Sequence, residues 1–293
     1  MDPHVDAPDR EVALQLASRA GQPRSIVVRI DQAKGLGLTR LAIGSPSWGW
    51  LGGSFDPPHL GHLALGHAAR LALGLDQLRF MPTGQSWQKQ SEKLKSLQYR
   101  PSTAQRLAML SSLLSTSDRS FFDIDDREIR RYEASEQPTY SIDTVKELAR
   151  DHPDKRRVMI IGADQLRNLP SWKHYDALLD YVHLGVTGRP GFGLQDLPET
   201  VEQLVQQFGC DHLPWKSHGH IVFFSMSPVP ISSTLLRREL ATWTTLSEPR
   251  LGAHVEAQAL RGFLGEPLLD YIKQHGLYRP ILADSEQDPQ RSH

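Results

Sequence analysis

Residues 52–62 read Gly-Gly-Ser-Phe-Asp-Pro-Pro-His-Leu-Gly-His. Their types and spacing suit the handling of a polyphosphate. Gly52 and Gly53 carry no Cβ, so the backbone can turn sharply and approach a ligand closely. His59 and His62 are three residues apart where an amphipathic segment begins, and a helix there would present both imidazoles on one face of its first turn. The first N–H groups of a helix have no intrahelical acceptor, and the helix dipole is positive at that end. Two imidazoles over such a start, beside a glycine turn, make a seat for phosphate oxygens. A second group with related chemistry is Ile231-Ser232-Ser233-Thr234-Leu235-Leu236-Arg237. It follows the breaker Ser227-Pro228-Val229-Pro230, so its hydroxyls fall at a helix start, and Arg237 is about one turn in. Hydroxyls, exposed N–H groups and a guanidinium can hold phosphate oxygens together.

The elements that must position these groups alternate along the chain. A small apolar stretch, Trp48 to Leu51, reads as a strand, and Leu60 to about Leu73 as a helix. Further strands are expected at Gln77–Met81, Phe121–Ile124, Arg157–Ile161, Val182–Val186 and Ile221–Phe224. Helices are expected at Ser102–Leu114, Ser141–Arg150, Asp176–Asp180, Val201–Phe208, Ser232–Leu240 and Pro267–His275. Such alternation predicts an α/β fold, a Rossmann-like doubly wound parallel sheet with helices on both faces. Ligands of such folds sit beyond the strand carboxyl ends where the strand order reverses. Residues 1–40 read as a loosely attached extension, with a short helix possible at Val12–Ala20 and a short strand at Ser25–Ile30. Residues 41–280 form the expected domain, and the polar stretch 281–293 is expected to be disordered.

Composition narrows the classes. The 293 residues are 39% apolar and 23% charged, as in a soluble protein. With 33 Lys and Arg against 34 Asp and Glu, the net charge of −1 gives no global field for nucleic acid or membrane, so a basic site must be local. One cysteine, Cys210, excludes an intramolecular disulfide framework and a cysteine-rich zinc site. No apolar run has the length of a membrane span, the N-terminus lacks an apolar signal core, and the cytoplasm is the expected compartment. No GxxxxGK[ST] occurs, and Gly35 to Arg40 fails the dinucleotide fingerprint at its third glycine.

The run at 52–62 resembles the first signature of the HxGH nucleotidyltransferase superfamily, and Ile231 to Arg237 resembles its second, ISSTxxR. Three further stretches, Ile160-Ile161-Gly162-Ala163-Asp164 with Leu169-Pro170-Ser171-Trp172, Thr187-Gly188-Arg189-Pro190, and Gln137-Pro138-Thr139-Tyr140-Ser141, look like the bacterial nicotinate-mononucleotide adenylyltransferases. The closing Tyr271-Ile272-Lys273-Gln274-His275-Gly276-Leu277-Tyr278-Arg279 is similar too. The resemblance implies transfer of AMP from ATP to nicotinate mononucleotide. His59, His62 and Arg237 would be catalytic. Gly52, Gly53, Ser54, Phe55, Ile231, Ser232, Ser233 and Thr234 would join them around ATP. Thr139, Tyr140, Asp164, Arg189 and Trp172, the last stacking on the pyridine, would line the mononucleotide side. Many members carry a Pro-Pro-His-Lys-like segment after the second strand. Here the chain reads Met81-Pro82-Thr83-Gly84-Gln85-Ser86-Trp87-Gln88-Lys89, with Lys89 where the basic residue is wanted. Mg²⁺ would be held mainly by the substrate phosphates, with few or no protein ligands. Two alternatives stay open: another HxGH transferase, using nicotinamide mononucleotide or phosphopantetheine, and a non-catalytic nucleotide-binding relative. The partners expected are small molecules, with no nucleic acid and no membrane.

Overall fold

The computed structural model describes residues 10–16, 24–30, 47–84, 101–188, 197–227, 229–245 and 253–279. In chain order the strands are β1 (Arg10–Leu16), β2 (Arg24–Ile30), β3 (Ser47–Gly53), β4 (Gln77–Pro82), β5 (Phe122–Ile124), β6 (Arg156–Gly162), β7 (His183–Gly188) and β8 (Ile221–Ser225). The helices are α1 (Leu60–Leu73), α2 (Thr103–Leu113), α3 (Arg127–Ser135), α4 (Ser141–Asp151), α5 (Ala163–Arg167), α6 (Glu199–Phe208), α7 (Ser233–Thr245), α8 (Ala253–Leu264) and α9 (Glu266–Gln274). No described helix is long and apolar enough to cross a membrane.

Strands β3 to β8 make one parallel sheet in the order β5-β4-β3-β6-β7-β8. The order reverses between β3 and β6, the first strand of each half. This is the doubly wound arrangement that the alternation of elements predicts, and the histidine run leaves β3 at the reversal. The central strand β6 is buried along all but its last residue, as a parallel strand covered on both faces must be. Its alternate residues serve two layers. Met159 and Ile161 belong to one apolar cluster with Ile142, Val145 and Leu148 of α4 and Val201 and Val205 of α6. Val158 and Ile160 lie on the other side, where a Cβ at Gly185 would come within 2.6 Å of Leu73 Cδ1 of α1 and 2.9 Å of Ile160 Cδ1. Only a residue without Cβ lets that helix approach the sheet so closely.

One local expectation is corrected. The stretch at Val12 begins a strand, not a helix. Apolar residues recur at Val12, Leu14 and Leu16 with period two, and β1 pairs antiparallel with β2, Val12 opposite Val28 and Leu14 opposite Ile26. The helical segment expected at Asp176–Asp180 is present, as the 3₁₀ helix Tyr175–Asp180. Helix α3 has no strong apolar stripe to announce it; only Glu128 and Ile129 are buried. It is laced with ions instead. Arg127 Nε meets Asp125 at 2.9 Å, Arg130 meets Asp126 at 2.9 Å, and Arg131 pairs with Glu147 of α4. The expected tail 281–293 lies outside the described residues.

The described residues fall into two compact units. One, within 1–53, 62–85 and 114–230, holds both sheets and helices α3 to α6. The other, within 54–61, 86–113 and 231–293, is helical and holds α2, α7, α8 and α9 together with the loop that precedes α1.

Candidate functional site

Strand β3 ends at Gly53 and α1 starts at Leu60, so the loop between is Ser54 to His59. His59 is the last residue before the helix, and His62 falls in its first turn. No acidic side chain occupies that turn, so none within it offsets the positive end of the helix. Phe55, only 1% exposed, anchors the loop and has a left-handed φ of 46°. His59 is buried. Its desolvation pushes the imidazole down to about 4, so at neutral pH the ring is an uncharged hydrogen-bonding group. The glycine between the histidines is needed for this placement. A Cβ on Gly61 would sit 2.9 Å from His59 Nδ1, 3.0 Å from His59 Cε1 and 3.1 Å from Ile231 Cγ2. A Cβ on Gly52 would meet nothing within 4 Å, so the backbone there borders open space.

The helical unit grips the loop by its carbonyls. Ser233 Oγ donates to Pro57 O at 3.0 Å, and Arg237 donates through Nη1 to Asp56 O and through Nη2 to Thr234 Oγ1 at 3.1 Å. Arg106 of α2 donates to Ser54 O at 2.9 Å. Ser232 accepts from Leu235 N–H at 3.2 Å, the cap expected at the start of α7. The second motif therefore meets Asp56 and Pro57 of the first within one unit, and Arg237 is bound to the loop that leads into His59. Tyr278 OH reaches Asp56 Oδ1 at 2.8 Å.

Of the residues expected on the mononucleotide side, Thr139, Tyr140, Asp164 and Trp172 lie in the sheet-bearing unit. Tyr140 precedes α4 in extended conformation, and Thr139 is buried beside it, its hydroxyl 3.5 Å from Glu128 Oε2. Glu128 also takes the Thr144 hydroxyl at 2.8 Å. Burial raises the pKa of this carboxyl against those bonds and the charge of Arg131. Trp172 follows a 3₁₀ turn after α5 and, like Tyr140, is half-buried against the main apolar cluster. Asp164 is exposed on the first turn of α5. Lys173 Nζ lies 4.4 Å from the Tyr140 ring centroid, a cation on this side that the sequence reading passed over. Lys89 and Arg189 lie outside the described residues. Among the described residues no three His, Cys, Asp or Glu side chains cluster as a metal cage would.

Residues 50–239 match the family model described as cytidylyltransferase-like. The chain belongs to that family. A protein of Aeromonas hydrophila described as a probable nicotinate-nucleotide adenylyltransferase is 36% identical over 238 residues, covering 80% of this chain and 98% of its own length. One of Acidithiobacillus ferrooxidans with the same description is 32% identical over 232 residues, 78% of this chain and 94% of its own. A solved structure of nicotinic acid mononucleotide adenylyltransferase from Plasmodium falciparum, in complex with NaAD, aligns with a TM-score of 0.55 at 16% identity, over 80% of this chain and 97% of that one. At that identity the likeness is one of fold.

The cytidylyltransferase-like match spans both motifs, from before Gly52 to beyond Arg237. Within it, sequence reasoning missed Asp56, Gly61 and Arg106. Gly61 was legible as the glycine between the histidines. Arg106 sits in an ordinary amphipathic helix and gave no signal.

Proposed function

We propose that the chain transfers AMP from ATP to nicotinate mononucleotide, releasing pyrophosphate and forming nicotinate adenine dinucleotide. The observation that carries this reading is the identity of 36% across 98% of a relative that bears that activity in its description. The fold and the meeting of the two motifs agree with it. A phosphate oxygen of the mononucleotide, already anionic at neutral pH, attacks the α-phosphorus in line. The new O–P bond forms as the bond from that phosphorus to the bridging oxygen breaks, and the electron pair leaves with pyrophosphate. No protein nucleophile is required; the protein aligns the groups and stabilises charge.

In this reading His59 acts as a neutral hydrogen-bond donor to the triphosphate, and His62 and the N–H groups opening α1 bind beside it. Arg237 and the hydroxyls at the start of α7 complete the grip. Donors of this kind, imidazole, hydroxyl and guanidinium, suit phosphate oxygens, and the Asp56 carboxylate accepts from Tyr278 and faces Arg237. That set fits a Mg²⁺ carried on the phosphates, which would neutralise part of the triphosphate charge.

On the acceptor side, Trp172 would stack on the pyridine, with Thr139, Tyr140, Asp164, Lys89 and Arg189 around the mononucleotide. The Lys173 cation, 4.4 Å from the Tyr140 ring centroid, favours a carboxylate over a carboxamide. The amide would turn its own N–H₂ toward a donor and leave a buried group unpaired, at a cost of about 1–3 kcal/mol. The test is pyrophosphate release from ATP with nicotinate mononucleotide, nicotinamide mononucleotide and phosphopantetheine in turn. The acid is expected to give a kcat/KM at least about tenfold above the amide. A ratio near one, or one favouring the amide, overturns the nicotinate assignment; no release with any acceptor overturns adenylyl transfer.

A further inference from the structure

Tyr278 comes two residues after the Gly276 turn that follows α9. It is 1% exposed, and its φ is 63°, a left-handed conformation that bulky residues rarely adopt. Such conformations persist where the surroundings over-determine them, and they concentrate at functional sites. The surroundings here are specific. The phenol donates to Asp56 Oδ1 at 2.8 Å and lies 3.7 Å from Met109 Sδ of α2. Burial, and after it the Asp56 charge, hold the hydroxyl well above its ordinary pKa, so it remains a donor at any working pH.

Asp56 stands three residues before His59. Its carbonyl is held by Arg237, its Oδ2 faces the same guanidinium at 3.8 Å, and the flanking carbonyls of Ser54 and Pro57 are held by Arg106 and Ser233. Tyr278 supplies a hydrogen bond to the Asp56 side chain from a neutral group. We propose that Tyr278 is a positioning residue for the histidine loop. Its hydroxyl fixes the Asp56 carboxylate, and Asp56 in turn fixes the path of the chain into His59. The role rests on the reading of His59 given above. An imidazole that must meet a phosphate oxygen is sensitive to displacements of about 1 Å. The loop has no regular secondary structure to set its path, so side chains from distant segments set it.

Tyr278→Phe removes the hydroxyl and keeps the ring. Its kcat/KM for ATP is expected to fall about tenfold, while KM for the mononucleotide stays within about twofold. A role in stability alone would lower the melting midpoint and leave both kinetic constants of the folded protein unchanged. In an Asp56→Ala background, Tyr278→Phe is expected to add less than about a twofold loss, because the hydroxyl acts through that carboxylate. An unchanged kcat/KM for ATP, or losses that multiply in the double variant, overturns the proposal. If Tyr278→Phe does not fold, Asp56→Asn against Asp56→Ala carries the test. Asn keeps an acceptor oxygen for the phenol and should retain kcat/KM within about threefold, and equal loss in both variants overturns the role. The dissociation constant for ATP, measured on the same proteins by calorimetry, separates the two hypotheses. An unaltered protein that binds ATP without transferring AMP defeats the function reading. A constant for ATP that Tyr278→Phe does not change then defeats the positioning role.

Discussion

Gly61→Ala should separate activity from stability. Gly61 is the second residue of α1, and in a helix interior Ala is better than Gly by about 1 kcal/mol, less near the end. Against this gain stand three contacts of the new methyl: 2.9 Å to His59 Nδ1, 3.0 Å to His59 Cε1 and 3.1 Å to Ile231 Cγ2. Ordinary contact begins near 3.4 Å, so the shortfall is about 0.5 Å on the imidazole and less on Ile231. Relief comes most cheaply from turning the imidazole or shifting Ile231, because the helix backbone is fixed by its hydrogen bonds. The propensity gain of up to about 1 kcal/mol offsets part of that strain in stability. A catalytic donor displaced by that amount loses alignment, and a fall of about 10–100-fold in kcat/KM for ATP is expected. The assay pairs pyrophosphate release with thermal unfolding of the same preparation. Wild-type turnover in a folded Gly61→Ala protein would refute the placement of His59 at the reacting phosphates.

His59→Ala and His62→Ala should each lower kcat by about 10²–10³ with little change in unfolding free energy, since in the proposed reading each removes a donor to transition-state charge; a folded double variant with near wild-type turnover would remove the histidines from the mechanism. His183 offers a test of pH linkage away from the site. It is fully buried, its Nε2–H donates to Lys216 O at 2.8 Å, and its Nδ1 accepts the His220 N–H at 3.1 Å. Burial first, and then the charges of His220, Arg156 and His218, push it down to about 4 against the Lys216 bond that raises it. The unfolded chain, with the ordinary value of about 6.5, binds the proton first, so this contribution is complete above pH 6.5 and is lost as pH falls toward 4, by up to about 3 kcal/mol. Imidazole NMR signals of His183 that titrate near pH 6.5 would contradict this.

Much of the site was legible because its signals are local. A strand, a glycine turn and a helix start are written in neighbouring residues, so α1 begins and ends at the expected Leu60 and Leu73, and the hydroxyls before Leu235 include the cap of α7. The parallel sheet follows from alternating periods along the chain, and its reversal at β3 from the rules of winding. Other features left no local trace. Helix α3 is held by ion pairs with residues outside it, so its apolar pattern is faint. Glu128 reads as one more charge in a polar run, yet it is buried under two threonine hydroxyls. Tyr278 and Asp56 are separated by 222 residues, and no periodicity or spacing joins them. The sequence by itself determined which backbone would turn, which would coil and which side chains are the candidates for phosphate, because those depend on windows of about ten residues. Which distant donors would hold the histidine loop was decided only by tertiary structure, because a hydrogen bond depends on where packed segments bring two atoms within about 3 Å.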